Sequence, residues 1–161
     1  MPGNETIMQL TSDREIVIER TFNAPPRLVF DAWTKPEFVK RWWAPKGLGV
    51  AMVSCEADVR VGGKYRYVIK PARFDAVAFS GEYSEITPYS RLVYTQFFEP
   101  MRNAGAVVVS VSFEDLGDRT HLISHELYPS KEAREAALSS GMEQGMRQTM
   151  DQLDELVASL I

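Results

Sequence analysis

The sequence predicts an α+β domain, in which a curved antiparallel sheet of about seven strands is crossed by one long C-terminal helix. From residue 50 to residue 128, short segments rich in β-branched and aromatic residues alternate with turn-forming glycine, proline and aspartate. From Ser130 to Ile161, apolar residues recur at spacings of three and four, which is the period of one helical face. Because an amphipathic helix must cover an apolar surface, this helix is expected to lie across the sheet.

The N-terminal part predicts a first strand followed by two short helices. Residues 1–12 are expected to form a flexible lead-in, and residues 13–161 a single domain. The first strand is predicted at Arg14–Phe22, where apolar and polar residues alternate. Asn23 is then a candidate cap for the first short helix, and Thr34-Lys35-Pro36-Glu37 fits a capping box that starts the second.

The middle of the chain has the pattern of a meander. Six further strands are predicted at residues 50–59, 64–70, 77–87, 91–99, 106–114 and 120–128. Within them, Gly81 indicates a bulge. The side-chain phase of the last strand stays open, since either Leu122, or Ile123 and Leu127, could face the core. With the two short helices closing one end of the sheet, this order describes a helix-grip architecture.

The C-terminal helix carries its own start signal and two weak points. Ser130 can cap its first turn, where Glu132 is favoured by the helix dipole. Gly141 and Gly145 lie within the apolar stripe, and each costs ~1 kcal/mol relative to alanine in a helix interior. The helix therefore depends on the sheet for its stability, and the glycines leave room for sheet contact or for a ligand.

Composition limits the classes of function. The net charge of −4 argues against a nucleic-acid-binding protein. The single cysteine, Cys55, excludes an internal disulfide and fits a reducing compartment. No stretch reaches the ~18 apolar residues that a membrane span needs. A cytoplasmic protein without a membrane partner, either a monomer or a homodimer, is therefore expected.

The sequence offers no recognisable catalytic or metal-binding pattern. His121 and His125 lie on a strand, where residues four apart are separated by roughly 13 Å at ~3.3 Å per residue, too far to share a metal ion. His125 and Glu126 are adjacent in a strand and should point to opposite faces, which weakens them as an acid–base pair. Cys55 has no helix N-terminus beside it that would activate its thiol. We therefore predict no catalytic residue, metal or cofactor, and an enzyme is not the favoured class.

Aromatic residues from several elements predict a site for an apolar or aromatic small molecule. They come from the first two helices and from neighbouring strands, and they would face a helix stripe of small and flexible side chains. Ordinary core packing is the competing explanation for the same residues. The candidate ligand-binding residues are Trp33, Trp43, Tyr67, Phe79, Tyr83, Tyr94, Phe98, Val111, Met142 and Met146.

An ordered set of motifs resembles a known family. The motifs are Phe22-Asn23-Ala24-Pro25, Phe30-Asp31-Ala32-Trp33-Thr34, Pro36-Glu37, Arg41-Trp42-Trp43-Ala44-Pro45-Lys46-Gly47, Cys55-Glu56-Ala57-Asp58-Val59-Arg60-Val61-Gly62-Gly63, Phe79-Ser80-Gly81-Glu82-Tyr83-Ser84-Glu85-Ile86, Arg91-Leu92-Val93-Tyr94-Thr95, Asp118-Arg119-Thr120 and Gly141-Met142-Glu143-Gln144-Gly145-Met146. From about residue 15 to its end, the chain resembles the START-related, birch-pollen-allergen-like (SRPBCC) superfamily. Within it, the chain is similar to bacterial homologues of the heat shock protein 90 ATPase activator's C-terminal domain. It departs from the family at Met146, where tryptophan is frequent, and at Ala44, where glycine is common.

The resemblance implies a cavity between the sheet and the C-terminal helix that holds a hydrophobic small molecule. It also implies two alternatives: a co-chaperone-like interaction module with a role in stress response, and a cyclase- or hydrolase-like enzyme acting on an aromatic or polyketide-like substrate. Because one fold serves many functions, the resemblance does not choose among these.

Overall fold

The computed structural model describes residues 4–161, and its eight antiparallel strands form a single sheet in the order β1-β2-β8-β7-β6-β5-β4-β3. The strands are β1 Ile7–Ser12, β2 Glu15–Phe22, β3 Val50–Ala57, β4 Lys64–Pro71, β5 Val77–Thr87, β6 Arg91–Phe98, β7 Val107–Asp115 and β8 Thr120–Leu127. The helices are α1 Pro26–Thr34, α2 Pro36–Trp42, α3 Lys131–Ser139 and α4 Met142–Ser159, with short 3-10 turns at Lys46–Leu48 and Glu99–Ala104. The predicted α+β helix-grip class is confirmed. In residues 4–161, no helix is long and apolar enough to cross a membrane.

The first strand of the structure, β1 at residues 7–12, was not predicted from the sequence and lies within the segment 1–12 predicted as a flexible lead-in, of which residues 1–3 lie outside the described residues. β1 pairs antiparallel with β2, placing Ile7 opposite Glu19 and Met8 opposite Ile18. Most of its side chains are exposed, so it lacks the alternation that identifies a half-buried strand. β1 forms because the free edge of β2 offers backbone hydrogen-bonding partners, and the sequence of β1 alone does not reveal this pairing.

The predicted single C-terminal helix is two helices, separated at Gly141. Gly141 has φ +83°, a left-handed conformation that interrupts an α-helix and that glycine adopts without steric cost. α3 ends at Ser139 and α4 begins at Met142. The start of α3 agrees with the prediction, because the Ser130 hydroxyl accepts a hydrogen bond of 3.0 Å from the backbone N–H of Ala133.

The predicted caps of the two short helices are wrong. The Thr34 hydroxyl donates to the backbone carbonyl of Phe30, at 2.9 Å, instead of capping α2. Lys35 occupies the N-cap of α2, and Pro25, not Asn23, occupies that of α1. Each helix begins with a proline, whose fixed φ and missing N–H suit the first turn.

The structure settles the phase of β8 and the place of the bulge. Leu122 faces inward and is fully buried, together with Ser124, whereas Ile123 lies on the other face. The register shift in β5 falls between Tyr83 and Glu85 rather than at Gly81. Gly81 is needed for a different reason: a Cβ there would lie 1.8 Å from the carbonyl oxygen of Thr95.

The inner face of the sheet carries two apolar clusters. The larger lies under α1, α2 and α4, and includes the fully buried Phe22, Leu92 and Leu153. The smaller contains Ile16, Ile18 and Tyr128, against which side chains of α3 pack. α3 therefore packs on the smaller cluster, whereas α4 packs on the larger one and also reaches the smaller one through Met142 and Met146.

Candidate functional site

A cleft of about 330 Å³ lies between α3 and the inner face of the sheet; we call it the α3 cleft. Its apolar lining includes Phe79, Phe98, Val107, Ala133, Ala137 and Met142. β5, β6 and β7 supply the floor, and α3 supplies the roof. This volume is at the lower end of the range of small-molecule sites.

The α3 cleft exists because the roof is made of small side chains. Ala133, Ala136 and Ala137 of α3 line it, and alanine leaves space between a helix and a sheet that a leucine would fill. The left-handed Gly141 then turns the chain, so that Met142 at the start of α4 closes one end. Local sequence thus produces both the roof and the end wall.

One carboxylate lies among these apolar groups. The inward phase of β8 places Glu126 on the inner face, between Ile16 of β2 and Val109 of β7. Its Oε1 accepts a hydrogen bond of 2.9 Å from the Tyr128 hydroxyl. Burial raises the pKa of Glu126, although the Tyr128 hydrogen bond and the His125 charge act in the opposite direction. The ionised carboxylate is therefore costly in this position.

A second group of aromatic side chains, the aromatic cluster, is packed tightly beside the cleft. It consists of Trp33, Trp43, Tyr65, Tyr67, Tyr83 and Tyr94, which surround a void of about 10 Å³. Since a water needs roughly 10–15 Å³ measured in this way, the void has room for at most one water. The aromatic cluster is accordingly a packed region with no space for an organic ligand.

Hydrogen bonds pair polar atoms of the aromatic cluster. The Trp33 Nε1–H donates to the Tyr94 hydroxyl at 3.3 Å. The Tyr65 hydroxyl donates to the backbone carbonyl of Thr95 at 2.7 Å. Burial raises the pKa of Tyr83 to about 12 and also raises the pKa values of Tyr65, Tyr67 and Tyr94. These hydroxyls therefore stay protonated at neutral pH.

Trp43 connects the aromatic cluster to the cleft. Its ring centroid lies 5.1 Å from that of Tyr67 and 5.1 Å from that of Phe79, which in turn lies 5.1 Å from Phe98. Gln152 of α4 holds the backbone on both sides of Trp43, because its Nε2 donates to the carbonyls of Trp42 and Ala44, each at 2.8 Å. The position of the Trp43 indole is therefore set by α4, the helix that covers the larger apolar cluster.

The structure divides the sequence-predicted ligand residues into three groups. Phe79, Phe98 and Met142 line the α3 cleft. Trp33, Trp43, Tyr67, Tyr83 and Tyr94 belong to the aromatic cluster. Val111 is fully buried in the larger apolar cluster, and Met146 packs against both the larger and the smaller apolar cluster. Direct ligand contact by any of these residues stays a prediction.

Most residues that line the α3 cleft were not predicted from the sequence, among them Gln96, Glu126, Ala133 and Ala137. The inward phase of Leu122 also directs Glu126 inward, but the sequence left that phase open. The alanines gave no signal, since an alanine-rich helix turn looks the same whether or not it covers a cavity.

The histidines lie on the outer face, opposite Glu126. His121 Nε2 is 3.1 Å from Glu19 Oε1, and His125 Nε2 is 2.5 Å from Glu15 Oε2. Burial raises the pKa of the Cys55 thiol to about 11, which keeps it protonated and weakly nucleophilic at neutral pH. The two histidines hydrogen-bond to glutamates of the outer face, and neither they nor Cys55 line the α3 cleft.

The sequence matches one family model over most of its length. Residues 23–158 match the family described as activator of Hsp90 ATPase homolog 1-like protein (AHSA1). The chain belongs to the AHSA1 family. This agrees with the resemblance inferred from the motifs, whereas no curated protein matches the sequence.

Solved structures with the same fold come from several bacteria. A crystal structure from Rhodobacter sphaeroides is 23% identical, with a TM-score of 0.87 over 96% of this chain and 99% of that one. An NMR structure from Arthrobacter aurescens is 22% identical, with a TM-score of 0.84 over 95% and 91% of the two chains. A crystal structure from Nitrosomonas europaea is 21% identical, with a TM-score of 0.81 over 93% and 97%. At these identities the likeness establishes the fold of this AHSA1 family member.

Proposed function

We propose that this AHSA1 family member binds an apolar or aromatic small molecule in the α3 cleft. The observation that carries the proposal is a cleft of about 330 Å³ with a mainly apolar lining and a few polar groups, which is the usual composition of a small-molecule site. Phe79 and Phe98 offer aromatic surface at its floor, and Met142 offers an adaptable side chain at its end.

A substitution that fills the cleft tests this proposal. Ala137→Leu adds an apolar side chain under α3 while keeping a residue that favours helix. We expect this variant to take up the neutral, polarity-sensitive dye Nile red several-fold more weakly than the wild type, with a thermal midpoint close to that of the wild type. Dye fluorescence titration and thermal unfolding of the same samples provide both measurements.

The same substitution on an exposed part of α4 serves as the matched control. Ala158 is exposed and lies away from the cleft, so Ala158→Leu should bind Nile red like the wild type. If the wild type shows no saturable dye binding, or if Ala137→Leu and Ala158→Leu bind alike, the α3 cleft is not a binding site.

Co-chaperone activity is the second candidate function, and the family match over residues 23–158 is the observation that favours it. We rank it second because it rests on that match, whereas the cleft is a feature of this chain's own side chains. The isolated protein is expected to stimulate the ATPase of an Hsp90-type chaperone little. A several-fold, saturable increase in that ATPase rate would place the co-chaperone function first.

A further inference from the structure

We propose that the α3 cleft selects amphipathic primary amines, with the ammonium group bound by Glu126 and the apolar chain lying beneath α3. This inference rests on the proposed function, since it names the ligand class for the same cleft. It is carried by the position and free hydrogen-bonding capacity of one carboxylate in a mainly apolar lining.

The carboxylate of Glu126 has an unused acceptor inside the cleft. Oε1 accepts the Tyr128 hydroxyl, while Oε2 accepts no hydrogen bond from residues 4–161. The side chain is partly exposed and contributes to the wall of the cleft. Gln96 lines the same cleft and adds an amide oxygen as a second acceptor. An ammonium group carries three N–H donors and could use both acceptors.

This carboxylate has no lysine or arginine partner among the described residues. Within residues 4–161, no lysine or arginine forms an ion pair with Glu126. The titratable groups around it are His125 on β8, Tyr128 directly after β8 and Tyr94 on β6, and Arg134 on α3 lies close to Tyr128. Arg134 is already bonded to the Ser12 carbonyl and Glu135, and His125 to Glu15 on the outer face. The missing positive charge is therefore one that a ligand can bring.

The charge favours a cation over neutral or anionic ligands of the same length. A charge-assisted hydrogen bond is stronger than a neutral one. An alkyl alcohol would gain the apolar contacts without that bond, and a fatty acid would place a second carboxylate beside Glu126. The apolar chain accounts for affinity, and Glu126 accounts for the choice of head group.

Displacement of Nile red by three ligands with the same tail tests the proposal. Decylamine, decanol and decanoic acid are titrated against the dye-loaded wild type at neutral pH, below their aggregation limits. We expect decylamine to displace the dye at a concentration roughly tenfold lower than decanol, as one charge-assisted hydrogen bond allows. Decanoic acid should be the weakest of the three.

Two Glu→Gln variants separate the cleft from the surface. In Glu126→Gln, the ratio of the decanol concentration to the decylamine concentration that displaces the dye should fall close to one. Glu15→Gln removes the same charge from the outer face of the neighbouring strand, where Glu15 pairs with Leu127 in the register, and should keep the tenfold ratio. Acidification of the wild type should lower the ratio as Glu126 is protonated, which provides a test without any substitution.

The possible outcomes distinguish failure of the amine proposal from failure of the proposed function. Equal displacement by decylamine and decanol in the wild type, a preference that survives in Glu126→Gln, or a preference for decanoic acid overturns the amine proposal while leaving the cleft as an apolar site. Absence of saturable Nile red binding by the wild type overturns the proposed function and this inference together.

Discussion

Arg20 Nη1 lies 2.6 Å from Asp151 Oδ1, and this ion pair joins the inner face of β2 to α4. The guanidinium is only 6% exposed, and its Nη2 lies 3.3 Å from Asp154 Oδ2. Nη1 also donates to the Thr6 hydroxyl at 3.0 Å, whereas Nε has no hydrogen-bond partner in residues 4–161. A buried cation is thus neutralised by two aspartates of a single helix.

Removal of the two carboxylates is expected to cost more than removal of the cation. The double variant Asp151→Asn, Asp154→Asn leaves Arg20 as a buried charge without a counter-ion and should lower the free energy of unfolding by ~3 kcal/mol. Arg20→Met removes the charge together with its unsatisfied Nε–H and should cost less. Urea unfolding of the three proteins measures both differences. A larger loss in Arg20→Met than in the double variant would contradict this account.

Two glycines are expected to respond to alanine in opposite directions. At Gly81 a Cβ would overlap the Thr95 carbonyl oxygen at 1.8 Å, so Gly81→Ala should separate β5 from β6 and destabilise the protein by ~3 kcal/mol or more. At Gly145 a Cβ would make an ordinary contact of 3.6 Å with Pro45, so Gly145→Ala should stabilise α4 by ~0.5–1 kcal/mol. The denaturant midpoints of the two variants and the wild type measure both stability changes. Equal changes at the two sites would refute the prediction.

Glu126→Gln is expected to stabilise the protein at neutral pH. Burial raises the pKa of Glu126 in the folded state, so folding is favoured by protonation below the ordinary glutamate range, and this contribution is lost as pH rises through the raised pKa. The glutamine cannot ionise and avoids that loss. The advantage of the variant should shrink as the pH falls, which thermal midpoints across a pH series will show.

Glu15→Gln provides the opposite case for the same pH series. The His125 hydrogen bond, followed by that of Ser12, lowers the pKa of Glu15, so its ionised form stabilises the fold above the ordinary glutamate range. This variant should therefore be less stable than the wild type at neutral pH, by a small amount because the group is exposed. Shifts of the same sign in both variants would argue against the assigned environments.

Gln152 is expected to control the position of Trp43. Gln152→Leu removes the donors to the Trp42 and Ala44 carbonyls and the acceptor for the Lys46 N–H, at an expected cost of ~1–3 kcal/mol. The emission of Trp43 should shift towards that of a more exposed indole. Gln144→Leu, on an exposed face of the same helix, is the matched control and should leave the emission unchanged. Unchanged emission in both variants would show that Gln152 does not hold the indole.

Elements with local signals were predictable from the sequence, and elements that depend on distant partners were not. Strands β4 to β7 follow turn residues and alternate clearly, as in Val107–Asp115, where Val109 and Val111 are buried. β1 depends on the exposed edge of β2, which no local pattern encodes. The break at Gly141 was not predictable either, because glycine in a helix costs only ~1 kcal/mol and tertiary packing decides between helix and left-handed turn.

The candidate site shows the same limit. Phe79 and Phe98 could be predicted because aromatic residues in strands are candidates wherever they occur. Glu126 was hidden by the undecided phase of a single strand, and a shift of one residue reverses every side chain of that strand. The roof of the cleft depends on where α3 ends, so it could not be predicted without the break.

The break at Gly141 also separates two roles along the chain that protein engineering can treat independently. The buried side chains of α4, Met150, Leu153, Leu156 and Val157, belong to the larger apolar cluster, whereas α3 contributes to the smaller cluster. Variation at Ala133, Ala136 and Ala137 therefore reshapes the roof of the cleft with little effect on the main core. A library confined to α3 should yield proteins that differ in the molecules they accept while sharing nearly one thermal stability.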